Sequence, residues 1–143
     1  MCIRDRFEGI GDTIRISLAA DPIEEVPACW SLLKALGLRE KGFEITACPS
    51  CGRAEISVLE LGESVEKIAK EYTAPVKVAV MGCVVNGPGE SKMADVGVAG
   101  GKGKGAIYRA GELVGTFPEA QLLNALRAEI EKVIREKYPE HAV

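Results

Sequence analysis

Histidine is almost absent: His141 is the only one, close to the end of the sequence. A zinc site would therefore have to draw mainly on other ligands. Basic runs are missing too. The nearest thing to one is Lys102 and Lys104, separated by a glycine, in a chain of net charge −3. That balance argues against a nucleic-acid or membrane-surface role. No apolar stretch approaches the roughly 20 residues that span a bilayer. The opening residues MCIRDR have no apolar core of the kind a secretory signal needs, and no internal repeat or long linker is visible. What is left is an ordinary composition, 143 residues with 47% hydrophobic and 27% charged, enough for one soluble globular domain. Five cysteines, an odd number, without an export signal point to a reducing, cytoplasmic setting. In that setting thiols serve as ligands or buried side chains rather than disulfides.

The stretch Met81 to Glu90, MGCVVNGPGE, organises the rest. Cys83 directly follows an apolar strand-like run containing Val76, Val78 and Val80. The chain then turns through Asn86-Gly87-Pro88-Gly89 and ends on the carboxylate of Glu90. A segment so rich in glycine and proline has no side chains to fill a core, but it brings backbone N–H groups close to a bound object. Upstream, Cys48 and Cys51 stand at C-x-x-C spacing in ACPSCGR. That spacing has three meanings: half a zinc site, a redox dithiol, or part of an iron–sulfur ligand set. The dithiol leaves Cys83 without a role. An iron–sulfur cluster suits the loops better, because thiolates hold iron and glycine N–H groups hydrogen-bond to sulfur. Glu90, a harder ligand than a thiolate, would hold its iron less firmly and could yield it to a substrate oxygen. The bland alternatives are a surface carboxylate at Glu90 and a buried structural thiol at Cys83. The run Gly100 to Gly105 resembles a phosphate cradle but lacks P-loop spacing, and a hairpin turn with solvated lysines is the better reading.

Met1 to Arg6 match no helix or strand pattern and read as a junction foreign to the rest of the chain. Thr13 to Leu18 alternates Ile14, Ile16 and Leu18 with Arg15 and Ser17, the pattern of a half-buried strand. Asp21-Pro22 opens a helix that runs to about Leu36 and stops at Gly37, with Val26, Trp30 and Leu33 in its apolar stripe. Cys29 beside that stripe reads as a small buried thiol. Gly42 to Ala47 is a short connector or a strand leading into the cysteine loop. Further strands are expected at Ile56 to Leu59, Pro75 to Met81, Asp95 to Ala99, Ala106 to Ala110 and Glu112 to Phe117. Helices are expected over Gly62 to Tyr72 and from Pro118 to about Lys137, the latter buried through Leu122, Leu123, Leu126, Ile130, Val133 and Ile134. A strand and helix at the front look like the last β/α step of a larger parallel domain.

ACPSCGR and MGCVVNGPGE, with EGIGDTIRISLAADP at the front, closely resemble the C-terminal part of the hydroxymethylbutenyl diphosphate synthases. These are iron–sulfur reductases of the methylerythritol phosphate route to isoprenoids. The likeness covers nearly everything from Glu8 to the last helix, and the two cysteine motifs together are highly specific. It implies an α/β fold: a sulfite/nitrite-reductase-like iron–sulfur domain over residues 42–143, preceded at 7–41 by the last strand and helix of a truncated (β/α)8 barrel. It implies a 4Fe-4S cluster on Cys48, Cys51, Cys83 and Glu90, with Asn86 near substrate and cluster. Arg15 and Ser17 match a motif that contacts the diphosphate. The implied reaction is reductive opening and dehydroxylation of a cyclic diphosphate, with electrons from ferredoxin or flavodoxin, in a homodimer. Since most of the barrel is missing, the chain is expected to take up a cluster without turning over substrate. The competing class is a small iron–sulfur electron-transfer or metal-binding module.

Overall fold

The computed structural model describes residues 3–85 and 87–141, and the chain divides into two units, Met1–Lys41 and Gly42–Val143. The first unit begins with a helix, α1 (Ile3–Phe7), where no element was expected. Arg4 bonds Glu8 one turn away at 2.8 Å, and the Arg6 guanidinium reaches the Ile10 carbonyl. Local pairing of this kind supports a short helix without any apolar periodicity. Thr13 to Leu18 forms no strand or other regular element. Its alternation is realised only in part: Ile14 and Ile16 are half-buried and Arg15 and Ser17 exposed, but Leu18, expected on the inner face, is 43% exposed. The five strands found all belong to a sheet of the second unit, and without a hydrogen-bonded neighbour an alternating segment forms no ladder.

Asp21 caps the next element as expected, its carboxylate accepting from the Ile23 N–H at 3.0 Å. The first turn, Pro22–Glu24, is a 3-10 turn, and the α-helix proper, α2, is Glu25–Ala35. Pro27 has no N–H to give the Ile23 carbonyl, so an α-helical bond cannot form there. Gly37, at φ +66, ends the element. No residue of α2 is fully buried, and Cys29 is half-buried rather than sealed in a core.

The second unit is α/β, built on a mixed five-stranded sheet in the order β1-β2-β3-β4-β5. β1 (Glu44–Ala47), β2 (Lys77–Met81) and β3 (Val96–Gly101) are parallel; β4 (Lys104–Arg109) and β5 (Glu112–Pro118) continue antiparallel. The parallel pairs need crossovers, and helices supply them. α3 (Val58–Ala69) links β1 to β2, and the short α4 (Gly87–Ser91) links β2 to β3. α5 (Glu119–Lys137) closes the chain. The antiparallel strands need only two-residue turns. Lys102-Gly103 joins β3 to β4, so the glycine-lysine run is a hairpin, and Ala110-Gly111 joins β4 to β5 with both φ values positive.

Two expected elements change. Ile56 to Leu59 is not a strand, because Ser57 caps α3 by accepting from the Glu60 N–H, and Val58 already lies in the helix. Ser57 and Glu60 have the spacing of a capping box, which outweighs the β-propensity of Ile56 and Val58. Of the expected Asn86 to Gly89 turn, the described part Gly87 to Gly89 is helical, since Gly87 begins α4 and Pro88 occupies its first turn, where a missing N–H costs nothing.

The two faces of the sheet differ. One carries Val78, Val80, Val96, Val98 and Ile107, packed against Val65 and Ile68 of α3 and Leu122, Leu126, Ile130, Val133 and Ile134 of α5. Full burial of such a side chain contributes about 1.5–3 kcal/mol, so this face carries most of the hydrophobic stabilisation. The other is lined by Ala79, Met81 and Ala99, with Gly97 between Val96 and Val98. Its small side chains leave room for α4 to lie close.

Candidate metal centre

Because β1 and β2 are parallel neighbours with Ala47 opposite Val80, Cys48 and Cys83 leave the sheet at the same edge. The Cys48 N–H donates to the Val80 carbonyl at 2.9 Å, adding one rung beyond β1. The chain then passes Ser50, at φ +59, and reaches Cys51. A second bond, from the Glu55 N–H to the Gly82 carbonyl at 2.9 Å, ties this cysteine loop to the Cys83 loop. Gly82 is needed for the approach. A Cβ there would stand 2.7 Å from Val58 Cγ2 and 3.0 Å from the Ala54 Cβ. Gly100, at the end of β3, closes the other side, where a Cβ would lie 2.7 Å from the Gly82 carbonyl oxygen. Two glycines thus let three backbone segments converge.

Cys83 is 5% exposed, Cys48 is half-buried and Cys51 is open to solvent. Arg53 is the residue that sequence reasoning missed. The Cys51 thiol is held below its ordinary pKa, first by the Arg53 backbone N–H and then by the Arg53 side chain. Conversely, the Arg53 guanidinium is held above its ordinary range, first by hydrogen bonding with Cys51, then by the charge of Cys51 and Cys83, and more weakly by Cys48. One cation therefore senses all three thiols. The only hint in the sequence was a basic residue two positions after the second cysteine.

Glu90 lies exposed on α4. Asn86 lies outside the described residues. Among the described residues, no group of three or more histidine, cysteine, aspartate or glutamate side chains stands ready to hold a metal ion. The chemistry of the donors nevertheless fits an iron–sulfur group: three thiols on two joined loops, one with its pKa lowered, and a nearby cation to offset negative charge. Arg15 and Ser17 belong to the first unit, where Arg15 lines a cleft with Ile14, Ile16, Val26, Cys29 and Trp30. Among the described residues no helix is long and apolar enough to cross a membrane.

Comparison with known proteins gives concordant matches. Residues 44–132 match the family model described as GcpE protein C-terminal domain. A 4-hydroxy-3-methylbut-2-en-1-yl diphosphate synthase (flavodoxin) of Lawsonia intracellularis is 55% identical over 130 residues, 90% of this chain and 36% of the relative. The similarly named protein of Geobacter sulfurreducens is 52% identical over 131 residues, covering 92% of this chain and 37% of its own length. That of Bifidobacterium longum is 54% identical over 119 residues, 83% of this chain and 30% of the relative. The chain spans about a third of the length of the curated relatives it matches.

Proposed function

Because the chain belongs to the GcpE protein C-terminal domain family, we propose that Gly42–Val143 is the 4Fe-4S half of an oxidoreductase. Its reaction is the reductive ring opening and dehydroxylation of 2-C-methyl-D-erythritol 2,4-cyclodiphosphate to (E)-4-hydroxy-3-methylbut-2-enyl diphosphate. Cys48, Cys51, Cys83 and Glu90 hold the cluster. The observation that carries this reading is the joining of the two cysteine loops at one end of the sheet. The domain is of the sulfite/nitrite-reductase-like class, and residues 7–41 correspond to the last β/α step of a (β/α)8 barrel, a step whose strand would need the rest of the barrel to pair with. In the whole protein the unit works in a cytoplasmic homodimer with flavodoxin, the donor in its relatives' names, or ferredoxin.

When bound, the cluster supplies electrons and a Lewis-acidic iron. The chain's own residues divide the remaining work. Cys83, nearly sealed from water, would hold the group where solvent does not reach, and Glu90, exposed on α4 and a harder donor, would hold it less firmly. Asn86, the residue before α4 in the sequence, is assigned a place near substrate and cluster by the family resemblance alone. Arg15 and Ser17, both exposed and two residues apart, offer a charge and a hydroxyl to a phosphate.

Anaerobic reconstitution with iron and sulfide tests the reading. The chain should bind about four irons and absorb as a cluster does, yet show no turnover of the cyclic diphosphate. A colourless protein holding stoichiometric zinc would overturn the cofactor, and turnover by the isolated chain would overturn the division of labour.

A further inference from the structure

The Glu90 carboxylate has no hydrogen-bond or ion-pair partner among the described residues, so the helix that carries it decides where it lies. α4 has only five residues, two of them glycine and one proline. Such a segment has almost no helical stability of its own. It is held by three contacts that leave no room for a Cβ. Gly87 rests on Ala99, where a Cβ would come within 2.5 Å of the alanine methyl. Ser91 rests on Gly97, whose Cβ would lie 2.7 Å from the Ser91 Cβ and closer still to its Oγ. Just beyond the helix, Lys92 crosses Gly111, where a Cβ would be 2.6 Å from Lys92 Cγ.

A second observation singles out Ser91. It is fully buried and its hydroxyl has no hydrogen-bond partner. A helix free to roll would turn that hydroxyl toward water or a carbonyl. The seat on β3 prevents the roll. At 3.6 residues per turn, an inward Ser91 sets the direction of Glu90 beside it.

We propose that Ser91 and Gly97 are a positioning pair that aims the Glu90 carboxylate at the cluster site by locking α4 onto β3. The proposal rests on the reading of Glu90 as a ligand. Gly97→Ala should force α4 off its seat. Ser91→Gly/Gly97→Ala should restore the space, and Ser91→Ala, which keeps the Cβ, should leave the seat intact.

Amide hydrogen exchange on the metal-free chain is the first measurement. Gly97→Ala should speed exchange over 87–93 by about tenfold or more, with protection in α5 unchanged, and the double variant should recover part of the loss. The second measurement is EPR and Mössbauer spectroscopy of the reconstituted chain. Gly97→Ala should shift the population toward a three-iron centre, as Glu90→Ala should in parallel, and the double variant should shift it back. Unchanged exchange in Gly97→Ala overturns the proposal. So does faster exchange with a wild-type iron spectrum, which would make the seat merely structural. A wild-type chain that binds no cluster overturns the ligand reading instead, while the exchange comparison still decides the seat.

Discussion

The two units bury their apolar side chains to very different extents. Every buried hydrophobic side chain among the described residues lies at Phe43 or beyond, whereas the buried residue of the first unit is an arginine, Arg6. Ile23 is 75% exposed and Val26 59%, although both belong to a well-capped helical segment. In the second unit the same kind of pattern, Leu126, Ile130, Val133 and Ile134 on α5, is sealed against the sheet. An amphipathic period tells which face seeks cover. It does not tell what covers it, and that depends on a second layer.

The sharpest way to break this comparison is chemical. Cys83→Ala should cut bound iron after reconstitution from about four per chain to below one, while Arg15→Ala should leave iron content unchanged. Equal losses from both would mean that the units do not divide cluster from substrate contacts. Next in size is the core. Ile130→Ala should cost the second unit about 2–5 kcal/mol in denaturant unfolding, whereas Ile23→Ala should stay within about 0.5 kcal/mol. A large effect at Ile23 would show that the first unit carries a core of its own.

Two smaller effects refine the picture within the second unit. Asp95, almost buried, accepts from the Lys77 N–H at 2.9 Å and pairs with Lys137 at 2.5 Å. Hydrogen bonding to Asp95, and then its charge, hold the Lys137 ammonium above its ordinary range. A raised lysine pKa stabilises the fold fully below the ordinary lysine value, and that stabilisation fades as pH rises through the folded-state value. Unfolding followed from neutral to strongly alkaline pH should therefore show a late loss that Lys137→Met abolishes. With the lysine side chain 57% exposed, solvent screening limits the loss to about 1 kcal/mol or less. Smallest of all, Ala110 sits at φ +48 before Gly111 in the β4–β5 turn. Ala110→Asn creates the Asn-Gly pair that such hairpins favour and should raise stability by about 0.5–1 kcal/mol, read as a higher melting temperature.

Much of the second unit was legible. Val76 to Val80 announced a buried strand, Gly103 and Gly111 announced hairpins, and the spacing from Leu122 to Ile134 announced α5, because period and turn chemistry are local properties. Elements that depend on competition between local signals were not. Ile56 and Val58 favour a strand, but the Ser57 cap takes Val58 into α3. Gly87, Pro88 and Gly89 disfavour helix, yet the small-residue face of β3 holds them in one. The candidate site divides in the same way. Cys48, Cys51, Cys83 and Glu90 stood out by type and spacing. Arg53 did not, although its main partner Cys51 is only two residues away, and Ser91 did not because its seat is a glycine on a separate strand.

By itself the sequence determined which residues could bind a metal, where most strands and the long helix run, and which face of each is apolar, for all of these come from side-chain chemistry and short-range periodicity. Only the tertiary structure decided that Thr13 to Leu18 forms no ladder, that a glycine-proline segment becomes helix, and that the Cys48 and Cys83 loops meet at one edge. The reason is common to all three. Strand pairing, helix seating and loop convergence are settled between segments far apart in the chain, where the space left by a missing Cβ counts for as much as any side chain.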